Sequence, residues 1–389
     1  MSAILQKRLR AKIDHQQETT RYRSLENNSH PQGREIKISG ATLVNFCSND
    51  YLGLCNHADL KHAAIEAIGD NGIGAGAAAL LSGRHSLHQQ LEQELASFTG
   101  YESALLYSSG YLANIGLINA VVSRQDEVHH DKFNHASLID AVKLSGAFHK
   151  RYRHSDLQHL EKNLSNSKAA QRWIITDSVF SMDGDVAQLE SIASIAKRYD
   201  ATLIIDDAHG FGVLGKGKGT HAHLGLSPEE VPIVVITLGK ALGCAGAAVL
   251  GSKILIDYLI QSSRTFIYDT ALPPLLAAAA LTATKKIRSD QSLVNNLNNN
   301  IKFFRNLCSA NNIPLSESHT PIQPLLLGKE TRAREASVFL ASRGIYVRAV
   351  RPPTVPVGTS RLRICISRSH TESDIEYLVT CLNEFLTND

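Results

Sequence analysis

An excess of either charge is missing from this chain of 389 residues, in which 40 Lys and Arg face 37 Asp and Glu for a net of +3. That balance excludes binding of nucleic acid or anionic membrane by bulk charge, leaving only a local basic patch open. The six cysteines, Cys47, Cys55, Cys244, Cys308, Cys365 and Cys381, include no pair with a two-residue gap. A zinc knuckle, a redox motif and a disulfide scaffold are therefore not expected. Long apolar runs are also absent: the longest, Ala271 to Ala283, contains Pro273 and Pro274 and is too short to span a bilayer. The opening MSAILQKRLRAKIDHQQ alternates charged with apolar residues, so it reads as an amphipathic helix and not as a secretory signal. No internal repeat or low-complexity tract occurs. What is present is 43% hydrophobic and 20% charged residues, the mix of a soluble globular chain. At about 150 residues per domain it suggests two or three domains, or one with an appendage, large enough to bury a core unaided. The expected location is the cytoplasm.

From Tyr101 to about Gly251, short β-rich runs alternate with helical patterns. ESALLYSSG, RWIITDSV, ATLIID, PIVVITLG and AGAAVLG read as strands, and HASLIDAVKLSG and LESIASIAKRYD as amphipathic helices between them. Such alternation predicts an α/β fold with a mainly parallel sheet covered on both faces. A long helical region follows from Pro274 to about Ala310. Strands QPLLLG, YVRAV and RLRICIS then surround two further helices. The expected organisation is an N-terminal helix and arm over 1–45, a large domain over 46–285 and a smaller α+β domain over 286–389.

Ligands of open α/β sheets bind at the carboxyl ends of the strands. Predicted strands end in Ser108-Ser109-Gly110-Tyr111, Asp206-Asp207-Ala208-His209 and Thr237-Leu238-Gly239-Lys240, and Phe180-Ser181-Met182-Asp183-Gly184-Asp185 follows another. One such cluster is ordinarily a turn; four together mark a site. Lys240 sits among Leu242, Gly243, Ala245 and Gly246, where partial desolvation favours the neutral, nucleophilic amine over a solvated turn lysine. Asp206, a carboxylate at a strand end, can hold a pyridinium nitrogen protonated. His209 could donate to a phenolate oxygen on the same ring, and a helix N-terminus at Gly110-Tyr111 suits a phosphate. These are the parts of a pyridoxal phosphate site.

Other motifs compete. Gly210-Phe211-Gly212-Val213-Leu214-Gly215 matches G-x-G-x-x-G after a predicted strand, but KGKGTHAHLGLSP follows where a dinucleotide fold needs a helix. Gly217 also stands where a P-loop needs Ser or Thr. Among the 17 histidines, His129-His130 and His221-x-His223 lack the helical H-E-x-x-H spacing, so they read as solvated or hydrogen-bonded and no metal is expected. His135 opens a helix after a strand, where an imidazole could cap the helix or lie over a planar ring. In Arg361-Leu362-Arg363-Ile364-Cys365-Ile366, alternation puts both arginines on one strand face. That face is either solvated or offers Arg363 to a substrate carboxylate as a bidentate fork.

Taken in order, Asn49-Asp50-Tyr51-Leu52-Gly53-Leu54, His135-Ala136-Ser137, Phe180 to Gly184, Asp206 to Gly210 and Thr237 to Gly243 resemble the sequence blocks of the α-oxoamine synthases. The resemblance runs from about Arg21 to the C-terminus. It implies a fold-type-I pyridoxal phosphate transferase with a seven-stranded-type sheet, which joins an amino acid to an acyl thioester and releases carbon dioxide. It further implies a homodimer with shared active sites, Phe266 to Thr270 being the cross-subunit stretch. By resemblance, Gly110, Tyr111, Ser181, His209 and Thr237 contact the cofactor, with Asp206 at its ring nitrogen, Lys240 as the lysine that carries it and His135 stacked on the ring. Arg21, Thr354 and Arg363 would face substrate. Within the family, Ile322-Gln323-Pro324-Leu325 and Arg351-Pro352-Pro353-Thr354-Val355-Pro356-x-Gly358-Thr359 most resemble members that condense L-alanine with a pimeloyl thioester. Whether the acyl group arrives on acyl carrier protein or coenzyme A is left open. The alternatives are a member using glycine and acetyl-CoA, a non-catalytic homologue, and a dehydrogenase resting on the glycine motif alone. Two segments depart from the family pattern. Gly74-Ala75-Gly76-Ala77-Ala78-Ala79-Leu80 replaces a more polar stretch, and Asp269 stands where small hydroxyl residues are usual, a carboxylate that would repel a nearby phosphate.

Overall fold

Helices separate most of the central strands, which leaves those strands parallel and puts their carboxyl ends on one edge. The structure is a computed structural model and describes residues 1–19 and 21–387. It divides into two units, one of residues 49–299 with 367–369, the other of residues 1–48, 300–366 and 370–389. The boundary expected near residue 286 falls within the span of the first. In chain order the strands are β1 (Glu35–Ile38), β2 (Ala41–Asn45), β3 (Ser103–Tyr107), β4 (Glu127–Asp131), β5 (Phe148–Tyr152), β6 (Arg172–Asp177) and β7 (Ala201–Asp206). They continue as β8 (Ile233–Thr237), β9 (Ala247–Gly251), β10 (Ile322–Gly328), β11 (Ile345–Tyr346), β12 (Ala349–Val350) and β13 (Ser360–Cys365).

The first unit holds a seven-stranded sheet of order β3-β9-β8-β7-β6-β4-β5. Only β9 runs antiparallel to its neighbours. Leu105, Val128, Ile175, Ile204, Val235 and Val249 pack with Leu117 and Leu138 of flanking helices in one buried cluster. Each such side chain contributes about 1.5–3 kcal/mol. The motif Gly210 to Gly215 leads into a 3₁₀ turn, Gly215–Gly217, and a four-residue helix, Thr220–His223, so the helix a dinucleotide fold requires is not formed.

The second unit carries a sheet of order β1-β2-β11 and another of order β10-β13-β12. The expected strand YVRAV is split between β11 and β12. The expected helical region from Pro274 is two helices, Pro274–Ser289 and Ser292–Ala310. Between them, the Asp290 carboxylate accepts from Ser292 N at 3.0 Å, a local bond that competes with helix continuation. The N-terminal segment does form a helix, Ala3–Glu18, but buries none of its residues. Among the described residues no helix is long and apolar enough to cross a membrane.

Candidate active site

Asp206, Asp177 and Thr237 are the last residues of three adjacent parallel strands, β7, β6 and β8, so the register itself collects them on one edge. Asp206 is 5% exposed and accepts from Asn114 Nδ2 at 2.7 Å and from Ala208 N at 3.0 Å. Asn114 lies one turn into the helix Gly110–Val121, and its Nδ2 is also 2.9 Å from Ser137 Oγ. Ser137 Oγ is in turn 2.7 Å from Nδ1 of His135. An unbroken chain of hydrogen bonds thus links the carboxylate to the imidazole. The His135 backbone N–H donates to Asp177 at 2.6 Å. Burial and the neighbouring Asp206 hold the Asp177 carboxyl well above the usual carboxylate range. Burial keeps His135 toward the neutral form, against the opposing pull of Asp206.

Lys240 stands in the turn between β8 and β9. Gly243 shapes that turn: its φ is +66°, and a Cβ there would lie 2.2 Å from the backbone nitrogen of Cys55. Lys240 Nζ lies 2.8 Å from Nε2 of His209, and His209 Nδ1 lies 2.7 Å from the Tyr51 hydroxyl, which donates to Asn49 at 3.2 Å. Both nitrogens of His209 are therefore engaged within the protein. The Lys240 charge acts on both His135 and Asp177, which joins the lysine cluster to the aspartate cluster.

At the start of the helix Gly110–Val121, Ser109 Oγ accepts from Leu112 N at 3.2 Å. Gly110 leaves no room for more: an added Cβ would meet Thr237 Cγ2 at 2.6 Å. The helix N-terminus is thus packed closely against Thr237, and a helix start of this kind suits a phosphate. Tyr111 donates to Asp140, and its ring meets that of His135 edge-on at 6.5 Å. Ser181 lies in the turn after β6. Asp269 accepts from Ser108 Oγ, and the alanine-rich segment pairs through its backbone, Ala78 with Thr270 and Ala77 O with Ala271 N.

This donor set fits pyridoxal phosphate: a buried carboxylate for the ring nitrogen, an amine for the aldehyde, an imidazole and a glycine-opened helix N-terminus. Sequence reasoning missed Asn114, Ser137, Asp177 and Tyr51 as parts of the arrangement.

Arg21, Thr354 and Arg363 belong to the other unit. Arg21 pairs with Glu330 at 3.1 Å, Thr354 accepts from Arg23 at 3.5 Å, and Arg363 donates to Cys365 Sγ at 2.9 Å. The face shared by Arg361 and Arg363 is not a solvated one, since Arg361 is buried and Arg363 half-buried. His129 and His130 are likewise buried, the first beside Glu127 and the second against His149. Among the described residues, no group of three or more His, Cys, Asp or Glu could hold a metal ion.

A family profile described as "Aminotransferase class I and II" matches residues 41–382. The chain is 46% identical over 385 residues to the 8-amino-7-oxononanoate synthase of Saccharophagus degradans, with 98% of this chain and 97% of that one covered. It is 48% identical over 353 residues to the enzyme of the same name from Methylococcus capsulatus, covering 90% and 91%. Among solved structures, a serine palmitoyltransferase from S. paucimobilis with bound PLP and myriocin superposes with a TM-score of 0.93 at 26% identity, covering 100% and 99%. An 8-amino-7-oxononanoate synthase from Francisella tularensis superposes with a TM-score of 0.78 at 32% identity, covering 89% and 98%.

Proposed function

Since the chain belongs to the class I and II aminotransferase family, we propose that it is a pyridoxal 5'-phosphate-dependent acyltransferase that condenses L-alanine with a pimeloyl thioester, giving 8-amino-7-oxononanoate and carbon dioxide. The reaction is the one for which these relatives are named, a step of biotin synthesis. The observation that carries the reading is the hydrogen-bonded line from Asp206 through Asn114 and Ser137 to the His135 imidazole, at the carboxyl edge of the sheet whose β8–β9 turn bears Lys240. When bound, pyridoxal phosphate supplies an electron sink, first for the α-carbon of alanine and again as carbon dioxide leaves.

The chain's own residues do the rest. Lys240 would hold the cofactor through Nζ, and the same amine is the group that would take the α-proton of alanine and later return it. Asp206 would keep the ring nitrogen protonated, and Asn114 fixes the Asp206 carboxylate by donating to it at 2.7 Å. His135 would stack on the ring, and Gly110, Tyr111, Ser181, His209 and Thr237 would hold the phosphate and phenolate groups. Arg21, Thr354 and Arg363 bind the two substrates. The enzyme works as a cytoplasmic homodimer in which the segment Phe266 to Thr270 reaches the partner's site.

A substrate panel tests the reading: alanine, glycine and serine crossed with acetyl and pimeloyl thioesters, the latter on coenzyme A and on acyl carrier protein. Alanine with a pimeloyl thioester should exceed every other pair in kcat/KM by at least about tenfold, or about 1.4 kcal/mol. Preference for glycine with acetyl-CoA would replace it by the neighbouring activity.

A further inference from the structure

Three loops at the carboxyl edge of the large sheet meet at a histidine that the mechanism above does not use. His154 follows β5. Its Nδ1 is 3.0 Å from Asp131, the last residue of β4, and its Nε2 is 3.0 Å from Asp185, in the loop after β6. The ring stacks on Phe133 at 4.5 Å and meets Phe180 edge-on at 4.4 Å. Each aspartate also orders its own loop, Asp131 through its carboxylate and Asp185 through its backbone. Asp131 also accepts from Phe133 N at 2.7 Å and Ser155 N at 3.1 Å, two residues before His135 and one after His154. Asp185 closes the loop that bears Ser181, its carbonyl accepting from Phe180 N at 3.0 Å, while Gly184 N donates to Phe180 O at 2.8 Å.

We propose that His154 is a positioning residue: as an imidazolium held between Asp131 and Asp185, it braces the Ser181 loop against the loop that delivers His135. The proposal rests on the reading that these two residues face the cofactor. An imidazole has two nitrogens on opposite edges of a rigid ring, and only the cation donates from both. Two carboxylates that accept from one ring therefore demand the charged form. Burial opposes that charge, but the Asp131 and Asp185 hydrogen bonds outweigh it and push the group up to about 10. Phe133 and Phe180 against the ring are apolar, Tyr152 beside Asp131 is held as a neutral phenol by burial, and the adjacent Arg153 is paired with Asp156 at 2.7 Å. Loss of the cation would leave Asp131, whose side chain is 2% exposed, facing Asp185 across an uncharged gap.

The test combines ring titration with cofactor binding. Histidine-selective nitrogen NMR of the wild-type protein should show one imidazolium, assigned by its loss in His154→Gln, that persists to about pH 10. Asp185→Asn should bring it down toward the ordinary value of about 6.5. In absorbance titrations of apoenzyme with pyridoxal phosphate at neutral pH, His154→Gln should raise the Kd about tenfold. His154→Arg should restore most of the affinity, because a planar cation can again bridge the carboxylates and stack on Phe133. Adding Asp185→Asn to His154→Gln should cost little more, as expected for two residues acting as one unit. A ring that titrates near its ordinary value, or an Arg variant no better than Gln, overturns the brace. An apoenzyme that takes up no pyridoxal phosphate on Lys240 defeats the proposed function instead, and the ring titration then supports or overturns the brace by itself.

Discussion

Nζ of Lys240 lies 2.8 Å from Nε2 of His209. The Tyr51 hydroxyl gives its proton to Asn49, so its oxygen accepts from His209 Nδ1 and leaves Nε2 as the acceptor for Lys240. Tyr51 thereby fixes the tautomer of the histidine beside the reactive amine. Tyr51→Phe removes the acceptor and strands a buried N–H, at a cost of about 1–3 kcal/mol. The expected outcome is a kcat lower by about tenfold with cofactor still bound, read by steady-state kinetics beside cofactor absorbance. An unchanged kcat would remove Tyr51 from the site.

Borohydride treatment should fix pyridoxal phosphate on the peptide that contains Lys240. Asp206→Asn should leave that labelling intact while kcat falls by at least about a hundredfold, because a neutral amide cannot keep the ring nitrogen protonated. Label recovered on another peptide would end the reading of Lys240. Asn114→Ala should act more mildly and in the same direction, since Asp206 then loses its 2.7 Å donor but keeps Ala208 N.

Stability should fall in two acid steps. His370 is buried against Phe46, donates from Nε2 to Asn45 O at 3.0 Å, and burial lowers its pKa to about 4. Between about 6.5 and 4 the unfolded chain binds a proton that the folded one refuses, so stability declines over that window by up to about 3 kcal/mol. His129 and His130, also lowered to about 4 by burial, add to the same step. Asp374 behaves differently: burial would raise it, but the Arg34 fork at 2.6 Å brings it to about 2. Its contribution of about 1–2 kcal/mol is present above about pH 4 and is lost as pH falls through 2. Urea midpoints measured from pH 7 to 2 check both windows. His370→Gln should shrink the first step and Arg34→Met the second; a midpoint that rises on acidification to pH 4 contradicts the first.

What the sequence made legible follows from where polarity and pairing coincide. The strands β6, β7 and β8 read as apolar runs and form as such, and the four strand-end clusters exposed Lys240, Asp206 and His209. Strand β4 reads EVHHD and hides because its two carboxylates pair with residues outside it: Glu127 with Lys150 at 2.7 Å and Asp131 with the His154 loop. Asn114 is one of two amides in an otherwise apolar helix, and only the fold turns it toward Asp206, 92 positions away. Tyr51 sits 158 positions from His209, so its sequence block could be noticed but its role could not.

The shared-site reading turns on Thr270. Its backbone bridges to Ala78, and the preceding Asp269 is occupied by Ser108 Oγ, so that carboxylate is tied to a donor at the approach to the helix Gly110–Val121. The threonine hydroxyl is then the group of this segment with chemistry to offer a phosphate across a two-fold interface. In a symmetric dimer each composite site takes Lys240 from one subunit and Thr270 from the other. Lys240→Ala should be inactive, and Thr270→Ala should bind cofactor weakly. When the two are mixed and exchange subunits, both lesions fall on one site of each mixed dimer and the other site is whole. At equal amounts and random exchange, half the dimers are mixed, so activity should recover to about a quarter of wild type. Demonstrated exchange without recovery would place Thr270 in its own subunit's site, and a monomer at working concentration would remove the shared site altogether.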